Sequence, residues 1–420
     1  MDLAVDVYFT LALAAGLLVL GGRIVERVGL LARYAIPDAV VGGMLAALAL
    51  TAARGAGLRV SFDPVMLAPL NILFFTTVGL TADARSLLRG GRPLLVFFLL
   101  ATGALWLQNA IGVGLARLFD IHPLIGLLGG SITLSGGHGT GAAWAGKFAD
   151  ERNLQGAVEL AVACATYGLV VGGLVGGPLA SWLLRRHRIA GPGPGPGPGR
   201  GAGEDPGAAA PPAGQIPVRA LIETLALVFT AMAVGLALHA AVGEGRLTLP
   251  SFIWALMVGV VLRNALSLTG LYHIDDRAAD RIGTIALSLF LAMVIMTLKL
   301  WELVDLAIPV LAILAVQTVA MVAYAAFVTF RVMGSNYDAV MLTTGQVGLS
   351  LGTTATALVN MQSVGERHGS SRLALLLVPV TGAFLIDLAN AATIQAFLET
   401  HGDALGKRST LDLDALLEAS

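Results

Sequence analysis

The chain has 420 residues, 56% of them hydrophobic and 13% charged, with a formal net charge of −1 and a mean hydropathy of +0.81. Soluble domains carry about 25% charged residues, so this composition excludes an ordinary soluble protein and reads as an all-α polytopic membrane protein. The near-zero net charge gives nucleic acid nothing to bind. The single Cys164 lies in an apolar run, which excludes an intramolecular disulfide and suits a small packing residue.

Ten apolar runs are long enough to be membrane spans: 5–22, 35–53, 65–82, 93–116, 157–184, 216–242, 249–266, 282–298, 303–330 and 372–398. The first follows Asp2 and Asp6 with no basic region before it, which fits a span rather than a cleaved signal peptide. Two further apolar stretches, 124–148 and 338–363, are interrupted, and each reads as a re-entrant hairpin. Ten crossings put both termini on one face and the middle loop on the other. Most of the 26 Lys and Arg residues fall on the middle-loop face, among them Arg23, Arg85, Arg185 and Arg331. Basic residues favour the cytoplasm, so both termini are expected outside.

The middle loop runs Gly191-Pro192-Gly193-Pro194-Gly195-Pro196-Gly197-Pro198-Gly199. With no side chains to build a core, it reads as a linker partly stiffened by proline. The expected organisation is a first five-span repeat over 1–189, a linker over 190–215, a second repeat over 216–400 and a polar tail over 401–420. The halves echo each other. Pro37 and Pro250, Gln108 and Gln317, and Gly136 and Gly348 stand at offsets of 213, 209 and 212. Five spans per copy is odd, so the second copy must be inverted, as in many secondary transporters.

The interrupted stretches carry the chemistry. Seven of the eighteen residues 129–146 are Gly, and each costs about 1 kcal/mol against Ala within a helix. Broken backbone at membrane depth survives only where protein buries it or it lines a wet cavity. Half-helix N-termini suit carboxylates, and freed carbonyls suit a small hard cation. Ser131, Thr133, Ser135 and Thr140 add hydroxyls in the first hairpin, as do Ser350, Thr353, Thr354 and Thr356 in the second. His138 can titrate, donate to an anion or bond its own turn. Asp387 lies midway along the tenth span with Asn390 one turn on; charge at that depth is expensive and marks function by default. Gln108, Asn109 and Gln317 are intramembrane amides that need partners, either to join helices or to hold an ion. Glu159 opens the fifth span, Arg219 and Glu223 form an i,i+4 pair, and Gly168, Gly172 and Gly176 make a small-residue packing stripe.

The run Ser131-Ile132-Thr133-Leu134-Ser135-Gly136-Gly137-His138-Gly139-Thr140-Gly141-Ala142-Ala143-Trp144 resembles the signature of the bacterial sodium/glutamate symporters. So do Gln108-Asn109-Ala110-Ile111-Gly112, Ala163-Cys164-Ala165-Thr166, Leu287-Ser288-Leu289-Phe290-Leu291-Ala292-Met293, Lys299-Leu300-Trp301-Glu302-Leu303 and Gly382-Ala383-Phe384-Leu385-Ile386-Asp387. The resemblance implies a transporter and not an enzyme, with sodium-driven L-glutamate uptake across the bacterial inner membrane. It also implies Na⁺ as coupling ion, no cofactor, two inverted halves with hairpins, and a homodimer in the lipid bilayer. Families of similar build move substrate by an elevator-like shift of one domain.

Joined to the residue reading, the expected substrate ligands are Ser135, Gly136, Gly137, His138, Gly139, Thr140, Gly352, Thr353, Thr354 and Asp387. The expected Na⁺ ligands are Thr133, Gln108, Asn109, Gln317, Ser350 and Asn390. The second hairpin departs from the family pattern: Gln346, Val347 and Ala355 stand where His, Cys and Pro are usual. The alternatives are a Na⁺- or H⁺-coupled symporter of another small dicarboxylate, such as aspartate or a hydroxy acid, an intramembrane protease, or a channel. A serine protease turn would want Gly where Thr133 precedes Ser135, and Asp387 lacks the sequence context of an aspartyl protease.

Overall fold

The computed structural model describes residues 2–33, 36–55, 57–193, 216–242, 250–270, 272, 274–299 and 307–400. Each of the ten expected spans coincides with a helix. They are α1 (Val7–Arg27), α3 (Asp38–Gly55), α4 (Leu67–Thr81), α5 (Ala84–Leu118), α8 (Ala157–His187), α9 (Val218–Val242), α10 (Ser251–Thr269), α11 (Asp276–Met296), α12 (Ala307–Tyr324) and α16 (Arg372–Val380) with its continuation α17 over 386–400. A short α2 (Gly29–Arg33) follows α1. Among the described residues, eight helices are long and apolar enough to cross a bilayer. The fifteen-residue α4 is shorter, at about 22 Å for 1.5 Å per residue.

Local chemistry sets the ends of these helices. Asp6 caps α1 by accepting from the amides of Tyr8 and Phe9. Asp275 caps α11 through Arg277 N, so that helix starts six residues before the expected position, within a polar stretch that reads as loop. Inside α5 the backbone turns at Gly91 (φ 52°, ψ −149°), just before Pro93. The all-helical expectation needs one addition: strands β1 (Asp2–Val5) and β2 (Arg59–Phe62) pair in parallel.

Between the long helices lie two helix–break–helix elements. The first is α6 (Pro123–Leu127), a π turn (Leu128–Ile132) and α7 (Gly137–Arg152). In the second half, α12 runs through a π turn (Ala325–Thr329) into α13 (Phe330–Val332), and α14 (Tyr337–Leu351) and α15 (Thr354–His368) follow. Both fall on the stretches expected to be hairpins. Element order thus repeats: three helices, a long helix, a broken pair, a long helix.

The helices sort into two bodies. One holds α1, α3, α4, α9, α10 and α11; the other holds α5 to α8 and α12 to α17. Glycines let helix backbones meet within each, which is how helices associate when apolar burial gives no advantage over lipid. In the first body Gly79 faces Leu256 and Gly283 faces Thr77. In the second, the stripe of Gly168, Gly172 and Gly176 seats the second broken pair: a Cβ on Gly168 would overlap Leu351 O, and Gly176 abuts Asn360. Asn360 fixes that seat by donating to Gly172 O at 2.9 Å.

At the base of the second pair, the start of the Gly-Pro run is packed. Gly193 N donates to His368 O at 3.2 Å, and Gly191 has no room for a Cβ against His368 O. Tyr337 donates to Gly369 O beside them. Residues 194–215 of the expected linker, and the tail 401–420, lie outside the described residues. The pair Arg219–Glu223 forms at 2.7 Å. Glu223 also accepts from Tyr272 at 2.6 Å, and that hydrogen bond pushes the phenol up to about 12.

The stripe makes a testable contrast along one helix. Gly168→Ala forces a methyl onto the Leu351 carbonyl, whereas Gly177 has nothing within 4 Å of a Cβ. In thermal unfolding of the detergent-solubilised protein, Gly168→Ala is expected to cost about 1–3 kcal/mol. Gly177→Ala should be neutral or up to ~1 kcal/mol stabilising. Equal behaviour would show that the stripe is not the seat of the second pair.

The meeting point of the two broken pairs

Each break is built by its own sequence. In the first pair His122 caps α6 by accepting from Leu124 N, with Pro123 at the first helical position. The helix loses register at Gly130 (φ −104°, ψ −136°). Ser135 N and Gly136 N both turn back to Ser131 O, at 3.3 and 3.1 Å. Gly137 takes φ +67°, a value that L side chains rarely adopt, and α7 starts there. In the second pair α14 is capped by Asn336 through Ala339 N. It ends at Gly352, and Thr353 caps α15 by accepting from Thr356 N.

The two breaks meet. A Cβ on Gly137 would stand 3.2 Å from the Thr353 methyl. Beside this junction is a cavity of about 440 Å³ lined by Ser135 to Thr140, Thr353 to Ala355, Gly382 and Asp387. That size is ordinary for a small-molecule site. Its opposite wall is Phe74 and Phe75 of α4 with Leu287 and Leu291 of α11, so the cavity lies on the seam between the two bodies. Gly139 is close to that wall: a Cβ there would sit 3.1 Å from Leu287 and 3.2 Å from Phe74. Below the seam Trp144 meets Phe252 edge-on, with centroids 6.4 Å apart.

Two N-terminal helix ends, those of α7 and α15, border this space and favour negative charge. Asp387 borders it too, and among the described residues no Lys or Arg pairs with it. The site therefore offers positive potential in two places and a carboxylate in a third.

Behind the breaks, buried amides tie the elements together. Gln108 donates to Ser350 O at 2.6 Å and accepts from Ser135 Oγ at 2.7 Å. Gln317 donates to Gln108 O at 2.6 Å. Asn109 accepts from Ser131 N at 3.0 Å. Asn390 exchanges two bonds with Ser131, accepting from its hydroxyl at 2.6 Å and donating to its carbonyl at 3.0 Å. Two polar atoms in this layer, Gln317 Oε1 and Asn109 Nδ2, are buried with no hydrogen-bond partner among the described residues.

Nine of the ten expected substrate ligands border the cavity. Gly352 stands behind it, under Thr356. Of the expected ion ligands, Gln108, Asn109, Gln317, Ser350 and Asn390 share the amide layer. Thr133 does not; its hydroxyl is spent on Leu128 O at 2.6 Å, and its methyl faces Gly141. Of the three departures from the family pattern, only Ala355 reaches the cavity. Gln346 accepts from Thr329 at 2.6 Å, and Val347 is fully buried. Sequence reasoning missed the wall of Phe74, Phe75, Leu287 and Leu291, because apolar residues in apolar spans carry no distinguishing mark. It also left Ser131, named among the hairpin hydroxyls, out of the expected ligand sets, and gave Thr166 no place in the site.

A family model described as sodium/glutamate symporter matches residues 3–370. The chain is 46% identical over 394 residues to the sodium/glutamate symporter of Escherichia coli (strain K12), covering 94% of this chain and 97% of the relative. The Shigella flexneri relative matches equally. That of Haemophilus influenzae is 43% identical over 398 residues, covering 94% and 98%.

Asn390→Ala tests the amide layer. It removes both bonds to Ser131 and leaves the buried Ser131 hydroxyl without its acceptor, at a cost of about 1–3 kcal/mol, while the Ser131 carbonyl keeps the amides of Ser135 and Gly136. A melting temperature equal to that of the unsubstituted protein would mean that the layer does not hold the first break.

Proposed function

The chain belongs to the sodium/glutamate symporter family, and from that premise we propose that it drives L-glutamate into the cell with Na⁺ across the cytoplasmic membrane. It is then a transporter and not an enzyme, and Na⁺ is cargo, not a resident cofactor. The observation that carries the reading is the cavity where the two breaks meet. Two helix ends suited to carboxylates and one carboxylate suited to an ammonium match the three charged groups of glutamate. Glutamate bears one net negative charge, and moving a charge inward against the potential costs about 2.3 kcal/mol per 100 mV. One Na⁺ only cancels that charge, so two or more are needed for the potential to assist.

The finer architecture follows the same reading. The ten helices act as ten crossings with both termini outside, the halves are inverted copies, and the broken pairs enter from opposite faces as re-entrant hairpins. The repeated element order and the basic residues at the middle-loop face support this. The body that carries both breaks shifts along the wall of α4 and α11, in a homodimer. A symporter of another small dicarboxylate is the second reading, favoured by Ala355 at the cavity where the family pattern has Pro.

Two measurements test this. Asp387→Asn keeps the shape and removes the charge; in proteoliposomes with an imposed sodium gradient its affinity for glutamate or Na⁺ should fall at least tenfold, equivalent to about 1.4 kcal/mol. Unchanged dependence on both would make Asp387 structural, and wild-type uptake that follows a proton gradient and ignores sodium would sink the coupling. Separately, Gly139→Cys and Gly352→Cys, each with Cys164→Ala, should be labelled by an impermeant thiol reagent from opposite faces. Labelling of both from one face alone would rule out the inverted arrangement.

A further inference from the structure

His138 lies in the first turn of α7, only 5% exposed, and borders the cavity. Its Nε2 is 3.0 Å from the hydroxyl of Thr166 on α8. A threonine hydroxyl has one hydrogen to give. Thr166 gives it to Val162 O, one turn back, at 2.8 Å. Towards the imidazole its oxygen can then only accept, so Nε2 must carry the hydrogen. In the neutral ring the other nitrogen, Nδ1, is left as a bare acceptor. Among the described residues no protein group bonds to Nδ1.

Asp387 borders the same cavity as a second acceptor. A ligand group that serves both must donate at least two hydrogens. An ammonium has three to give; a hydroxyl has one, and a methylene none. We propose that Thr166 is a positioning residue which fixes the Nε2–H form of His138 and so makes the cavity select α-amino dicarboxylates over hydroxy and unsubstituted dicarboxylates. This rests on the transport reading above and narrows its substrate class. Discrimination of this kind is strong, because a ligand without the donor leaves buried acceptors unpaired.

The test is sodium-driven uptake of radiolabelled L-glutamate into proteoliposomes, competed by glutarate and by 2-hydroxyglutarate. Thr166→Val is close in shape and cannot bond to the ring; Thr166→Ser keeps the hydroxyl. Val should raise KM for glutamate about tenfold with the maximal rate within about twofold, as expected for loss of binding alone. It should shrink the glutamate-over-glutarate preference by a similar factor, while Ser retains both. A folded Val variant with wild-type KM and preference overturns the proposal, as does a Ser variant that fails like Val.

Should Thr166→Val not accumulate, His138→Asn and His138→Gln decide. Asn puts its amide near the Nδ1 position and should keep part of the preference; Gln puts it near Nε2 and should lose it. Gln performing as well as Asn overturns the assignment. Unsubstituted protein that shows no sodium-dependent glutamate uptake would instead overturn the transport reading itself, a result distinct from any outcome among the variants.

Discussion

Two helices broken inside an apolar body create the demand that the rest of the second body meets. Every backbone N–H and C=O freed by a break must find a partner, because neither lipid nor a packed apolar core supplies one. The partners here are carboxamides. Gln108 reaches the end of α14 through Ser350 O, Asn109 and Asn390 hold Ser131, and Gln317 takes the carbonyl of Gln108. A carboxamide suits this task because it donates and accepts without charge. A carboxylate or ammonium in the same place would cost far more to bury. The amide layer links α5, α12 and α17 to both breaks, so neither break can shift alone.

The seam between the two bodies is of another character. On the side of α4 and α11 the cavity wall is apolar, formed by Phe74, Phe75, Leu287 and Leu291. Opposite stands Gly139, which brings no side chain to interlock, flanked by His138 and Thr140. A wall of aromatic and aliphatic side chains offers no side-chain hydrogen bonds across the seam. One bond does span the seam at its edge, where Lys299 N donates to Glu159 at 2.8 Å. Glu159 thus joins the first turn of α8 to the end of α11, a role beyond that of an acid at a helix start.

Much of this was legible in the sequence, and the reasons are specific. Glycines crowded together with Ser and Thr inside apolar stretches point to breaks, so both broken pairs were visible. Asp387, Gln108, Asn109, Gln317 and Asn390 stood out because polar groups in spans need partners. The pairing of β1 with β2 was hidden, since four-residue strands at the ends of helices leave no periodicity to read. Which hydroxyls face the cavity was hidden as well. Thr133 and Ser135 are two residues apart in one turn of broken backbone, and the side each faces depends on the π turn at Leu128–Ile132. The Gly-Pro run reads as inert from composition, yet Gly191 fits the base of α15 because it lacks a side chain, and Gly193 bonds there through its amide.

The hydrogen-bond inventory also separates the candidate ion ligands from one another. Ser131 Oγ donates to Asn390 Oδ1, so each of these oxygens already has a partner while keeping lone pairs to spare. Gln108 Oε1 accepts from Ser135, and Thr133 gives its hydrogen to Leu128 O. Gln317 Oε1 alone in this set is a fully buried amide oxygen without a donor among the described residues. Leaving such an acceptor unmatched costs about 1–3 kcal/mol, and a hard cation is the kind of partner that oxygen ligands favour. Its nitrogen is held by Gln108 O, which fixes the oxygen on the far end of the same amide. Gln317 Oε1 is therefore the oxygen of this set that lacks a donor among the described residues. A cation there would draw on the group that is already bonded to α5 and, through Gln108, to both breaks.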